Sequence, residues 1–158
     1  MAVNGPGYHQ VSAACPLYTW HPLTGKASEE IDSMAGCTNA VCFSDNDSLL
    51  ITGRTDSSLQ ILDASYLLPK QIIKGLPGIV TKCQISRDQQ FLFLILSDSS
   101  VQCRNRKDPD YLLAYKDSGF SPGAMAYDES RQELIIAGNN GILVQMNTKT
   151  RAVKKMNF

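Results

Sequence analysis

Histidine is almost missing from this chain: His9 and His21 are the only two in 158 residues. Catalysis by a convergent nucleophile, base and orienting group therefore has little to draw on. The five cysteines, Cys15, Cys37, Cys42, Cys83 and Cys103, include no CxxC pair and leave an odd one. That pattern suggests neither a zinc site nor a disulfide framework, and buried thiols in a reducing compartment fit it better. Net charge is zero, which argues against a general nucleic-acid binder. No EF-hand spacing, phosphate-cradling glycine motif or paired metal-ligand motif occurs, so no metal and no cofactor is expected. The stretch Met1 to Gln10 is polar, with no apolar signal core, and no window approaches membrane-spanning length. The expectation is an intracellular protein, cytoplasmic or nuclear. Convincing helical periodicity is absent as well, which leaves an all-β class.

What the sequence has instead is a repeat. The run Leu49 to Asp63 reads as an apolar strand, a polar turn centred on Asp56 and a second strand. Asp56, Leu59 and Asp63 reappear as Asp98, Val101 and Asn105, then as Asn140, Leu143 and Asn147, each step spanning 42 residues. A fainter copy stands upstream at Ala14, Leu17 and His21. A fixed period of about 40 to 45 residues, each unit holding several short strands, is the signature of propeller blades. The expected architecture is an incomplete propeller of four-stranded antiparallel blades, about three complete and a partial first one. The units fall at about 8–34, 37–76, 78–117 and 119–158. The first lacks an obvious opening strand, whereas Phe91 to Leu96 is an unbroken apolar run suited to a strand covered on both faces. Asn139-Asn140-Gly141 supplies residues that tolerate positive φ in a tight turn.

These repeats resemble the WD-repeat family of β-propellers. Trp20-His21 and Leu62-Asp63 stand where the family ends its third strand with Trp-Asp, and Arg104-Asn105 and Met146-Asn147 are weaker versions. Asp56, Asp98 and Asn140 match the family's structural turn residue between second and third strands. The Gly-His dipeptide is absent, since Cys37 follows Gly36 and Ile79 follows Gly78, so the family's Asp-His-Ser/Thr-Trp network cannot form. The resemblance implies a non-enzymatic scaffold that binds peptide segments on a propeller rim. It also implies a ring of more blades than this chain supplies, completed by self-association, a second chain or a further segment. Tyr18 and Trp20 at one end, and Val144 and Met146 at the other, are expected at the uncovered ends. An RNA- or DNA-associated complex subunit and a fragment of a propeller hydrolase are the alternatives.

Two rims are candidate sites. One carries the turns that follow third strands, with Arg104, Arg106, Lys107, Lys149 and Arg151. With Lys154 and Lys155 they could contact an acidic peptide, a phosphorylated segment or a lipid head group, or simply be a solvated face. The opposite rim carries Thr38, Asn39, Arg54, Thr55, Lys82, Phe120 and Asn139, where the resemblance implies peptide docking. Phe120, in a Gly-Phe-Ser-Pro loop, is either a packed plug or a contact residue. Charge is uneven along the chain. Four basic residues oppose seven acids up to Gly78, a net −3, and eleven oppose eight thereafter, a net +3. Such an asymmetry could help subunits meet.

Overall fold

The computed structural model describes residues 17–20, 23–31, 37–108 and 110–157, with backbone alone for 18–20 and 27–31. His9, His21 and Cys15 lie outside this set, as do the side chains of Tyr18 and Trp20. The described residues contain strands and turns with no helix. A two-stranded sheet of β1 (Leu17–Trp20) and β2 (Ala27–Ile31) comes first. Three four-stranded antiparallel sheets follow. The first contains β3 (Thr38–Phe43), β4 (Leu49–Arg54), β5 (Leu59–Asp63) and β6 (Pro69–Ile73). The second contains β7 (Val80–Ile85), β8 (Phe91–Leu96), β9 (Val101–Asn105) and β10 (Leu112–Tyr115). The third contains β11 (Pro122–Asp128), β12 (Glu133–Gly138), β13 (Ile142–Asn147) and β14 (Val153–Asn157). Within each sheet the strands pair in chain order. The all-β, four-stranded blade architecture expected from the repeat is thus present.

The sheets stack face to face, and the two-residue alternation of side chains decides which face each apolar residue serves. From β4 and β5, Leu49, Ile51, Leu59 and Ile61 point towards the second sheet. There they meet Leu92, Leu94 and Leu96 of β8, and this is the first join. The intervening Phe93 and Ile95 point the other way, to Leu134, Ile136, Val144 and Met146, and form the second join. Five of the six residues of β8 are buried because both of its faces are covered. On the far side of the first sheet, Leu50, Leu62 and Leu67 pack with Leu17 of β1.

Val144 and Met146 therefore correct the expectation that they mark an uncovered end. Both are fully buried in the second join. Their β12 partners, Ile136 and Leu134, share that inward face. The open face of the third sheet belongs instead to residues of opposite parity, including Ile135. A second correction concerns the cysteines: Cys37 is disulfide-bonded, to a partner outside the described residues, so thiols throughout do not describe this chain.

Candidate functional site

Because neighbouring strands are antiparallel, successive turns alternate between two rims. The turns after first and third strands share one rim, while those after second and fourth strands share the other. Both rims are built from side chains that satisfy the turn backbone. On the first rim Asp63 Oδ1 accepts from the Ser65 and Tyr66 amides at 3.0 and 3.2 Å. Asn105 Oδ1 accepts from Lys107 and Asp108 at 2.8 and 3.2 Å, and Asn147 Oδ1 from Lys149 and Thr150 at 3.0 and 2.8 Å. Three residues at one repeat position thus make one local bond pattern, the known use of Asp and Asn in turns.

On the second rim, Asp56 Oδ1 accepts from the Ser58 amide at 3.1 Å and from its hydroxyl at 2.5 Å. Asp98 does the same for Ser100 at 3.1 and 2.6 Å. Asn140 holds the corresponding place but donates through Nδ2 to the carbonyl of Gly119. The next residue of each turn, Ser57, Ser99 and Gly141, has positive φ of 60°, 64° and 75°. Burial by itself would raise the Asp98 carboxyl, yet the Lys116 ammonium and the Ser100 donors hold it down at about 2.

The basic residues of the first rim divide into two groups. Arg104 Nε donates to Gln102 Oε1 at 2.9 Å and Arg106 Nη1 to the Gln89 carbonyl at 3.0 Å, both half-buried. Burial lowers both guanidinium pKa values. Arg151 lies 4.5 Å over the Tyr111 ring. Lys107 and Lys149 are exposed, as is Lys154, while Lys155 bonds Asp117 at 2.7 Å. The periodicity also carries a feature that the motif reading missed. Asp45, Arg87 and Glu129 occupy one repeat position and link three sheets: Arg87 Nε bonds Asp45 Oδ2 at 2.7 Å, and the Arg87 amide bonds Glu129 Oε1. Only the 42-residue spacing itself could have revealed this ladder.

The second-rim residues are more dispersed. Phe120 is 2% exposed and packs edge-on to Tyr115 with centroids 5.6 Å apart, the arrangement of a plug. Arg54 is buried, with Nη1 donating to Gln60 Oε1 at 3.2 Å and Nε 3.8 Å from Asp56. Thr55 is exposed and its hydroxyl accepts from the Cys37 amide at 2.9 Å. Thr38 is half-buried, and the neighbouring Asn39 donates to the Val80 carbonyl at 3.0 Å. Asn139 is exposed, with its amide bonded to Ser121. Lys82 is exposed on β7, beside a groove of about 460 Å³ between the first strands β3, β7 and β11. Among the described residues, no three His, Cys, Asp or Glu side chains come together as a metal site.

Two blade faces carry partly open apolar residues apart from the rims: the face of the first sheet that bears Leu50 and Leu62, on which Leu17 of β1 packs, and the far face of the third sheet. Val41 and Phe43 of β3 are each 53% exposed. Their repeat equivalents, Cys83 and Ile85 in β7 and Met125 and Tyr127 in β11, pack in the first and second joins. At the other end Ile135 is 38% exposed, while its equivalents Ile51 and Phe93 are wholly buried. These outward residues occupy positions that elsewhere in the chain join one blade to the next.

No family model matches this sequence, and no curated protein matches it. Solved structures do resemble its fold. The WD40 repeats of RRP9 superpose with a TM-score of 0.69 at 11% identity, over 80% of this chain and 40% of that one. The β-propeller domain of Myceliophteria thermophila Cps50 (Swd1) gives 0.72 at 11%, over 88% and 48%. The structure of U3-55K gives 0.74 at 15%, over 96% and 53%. This chain thus spans about half the length of the structures it matches, between 40% and 53%. Repeat period, sheet order and these superpositions agree that the described residues fold as consecutive blades of a WD-repeat-type β-propeller.

Proposed function

We propose that this chain is a non-enzymatic protein-interaction scaffold that works within a larger propeller or multi-subunit assembly inside the cell. The observation that carries the reading is the outward face of the third sheet, together with the partly open face of the first sheet beside β1. Val41, Phe43 and Ile135 sit at repeat positions that are packed in the interior joins, and their exposure leaves apolar surface of the kind that association covers. The partner is a further set of blades, on a second copy, a second chain or another segment. Peptide docking uses the rims, where Lys107, Lys149 and Asn139 offer exposed polar contacts. Three of the five first-rim basic residues are engaged within the fold, which leaves a modest cationic surface and favours protein over nucleic acid.

Light scattering coupled to size-exclusion chromatography tests the assembly at micromolar concentration. A stable species above the 17.3 kDa monomer mass, lost on Ile135→Glu or Phe43→Glu, is the expected result. A well-folded monomer that acquires no partner on affinity capture at near-native expression overturns the reading. Binding to nucleic acid that weakens steeply with salt would favour the alternative.

A further inference from the structure

We propose that Cys42 and Cys83 are a thiol pair across the first join, able to close into a disulfide by exchange with a small oxidised disulfide such as oxidised glutathione. The placement follows from strand register. At the join, a Cβ built on Gly53 would lie 2.5 Å from Val80 Cβ and 3.4 Å from Ala40 Cβ, so Ala40 and Val80 flank the same point. Cys42 is the next residue of β3 on the face of Ala40, two positions on. Cys83 is three positions beyond Val80, but a bulge between Val80 and Lys82 absorbs one of them. Cys83 is therefore the next residue on Val80's face, and both cysteines pack against the first core. A second contact fixes the same pairing: Cys83 Sγ lies 3.9 Å from the carbonyl of Ile51, and Ile51 is the cross-strand partner of Cys42.

The two thiols also titrate as neighbours. Cys42 is the leading cause that pushes the Cys83 thiol far up, with burial adding to it, and the contact with Cys83 lowers Cys42 against the effect of burial. One of the two opens the exchange as its thiolate, the nucleophilic form. Its thiolate attacks one sulfur of the oxidant, the oxidant's S–S bond breaks, and one thiol leaves with a proton. The other cysteine then gives up its proton and attacks the protein sulfur of the mixed disulfide, expelling the second thiol. Two protein thiols are oxidised and one external disulfide is reduced. Access is through the groove between the first strands, which Cys83 lines. Cys103 is an internal control: it is fully buried in the second join and burial pushes its thiol up to about 12.

The bond would tie β3 to β7 and so lock the first join at its inner edge. The test uses the whole folded chain, incubated with oxidised glutathione, alkylated with a maleimide after unfolding and mapped by non-reducing proteolysis and mass spectrometry. The expected result is a linked pair of peptides containing Cys42 and Cys83, the loss of two alkylatable thiols, and a Cys103 that remains alkylatable. Cys83→Ser and Cys42→Ser should each abolish the link and leave glutathione trapped on the remaining cysteine. Persistence of both thiols after prolonged oxidation of folded protein overturns the proposal. So does a link from either cysteine to Cys103 or to a second molecule, or glutathione trapped on neither variant.

Discussion

The two joins of the stack are made from opposite faces of one strand and differ in kind. The face of β8 bearing Leu92, Leu94 and Leu96 meets aliphatic residues, close enough that Gly53 leaves no room for a Cβ against Val80. The other face offers Phe93 to an aromatic set: Tyr127 at 4.4 Å between centroids, Phe91, and Tyr111 beyond it. Polar tips then fasten this second join. Tyr111 Oη donates to the Thr148 carbonyl and Lys155 reaches Asp117, both across the join, while Tyr127 Oη meets Thr148 Oγ1 at 3.0 Å within the third sheet. One join relies on close aliphatic fit and the other on large rings with hydrogen-bonded ends. The same repeat position therefore serves two chemistries, and substitutions should separate them.

The largest effect is expected at the aromatic join. Phe93→Ala removes a wholly buried ring and should cost about 3–5 kcal/mol in urea unfolding, against about 2–5 kcal/mol for Leu94→Ala on the opposite face. Equal losses with no change in cooperativity would mean that the joins melt as one. Gly53→Ala comes next, because the added methyl must displace Val80, whose Cβ would be 2.5 Å away. Overpacking of this kind costs about 1–3 kcal/mol, and relief of the clash by Val80→Gly but not by Val80→Ala, which keeps the Cβ, would identify it. Tyr111→Phe keeps the ring and deletes the hydroxyl bond to Thr148, for a loss of about 0.5–1.5 kcal/mol read from the same curves.

The smallest effect concerns acid. Hydrogen bonding to Lys155 is the leading cause that holds Asp117 at about 2, and Lys116 and Ser100 hold Asp98 there against burial. Carboxyls depressed in the folded state stabilise it above their unfolded pKa of about 3.9. That contribution declines as pH falls below about 4 and is gone below about 2. Melting temperature should drop across this window, and Asp98→Asn together with Asp117→Asn should flatten the profile. An unchanged slope in the double variant would discard these two groups as its source.

The scarcity of helical pattern and the 42-residue spacing were enough to read the blades, since a strand buried on both faces demands an unbroken apolar run and Phe91 to Leu96 supplies it. Turn positions were equally legible. Asp56 and Asp98 bond the backbone two residues on, a local interaction that needs no knowledge of the rest of the chain. The candidate surfaces were less so. Whether Phe120 is a plug depends on Tyr115 and the third sheet, and whether Arg151 is free depends on a ring forty residues earlier in the chain.

Sequence by itself determined what local chemistry determines: strand, turn, period and the alternation that makes each blade two-faced. Tertiary structure alone decided which face is which. Val144 and Met146 differ from Ile135 by strand parity, and parity acquires an inside and an outside only when a neighbouring sheet covers one side. The meeting of Cys42 and Cys83 was hidden for a related reason. A one-residue bulge in β7 shifts which residues share a face, and sequence spacing does not register a bulge until the strands are paired.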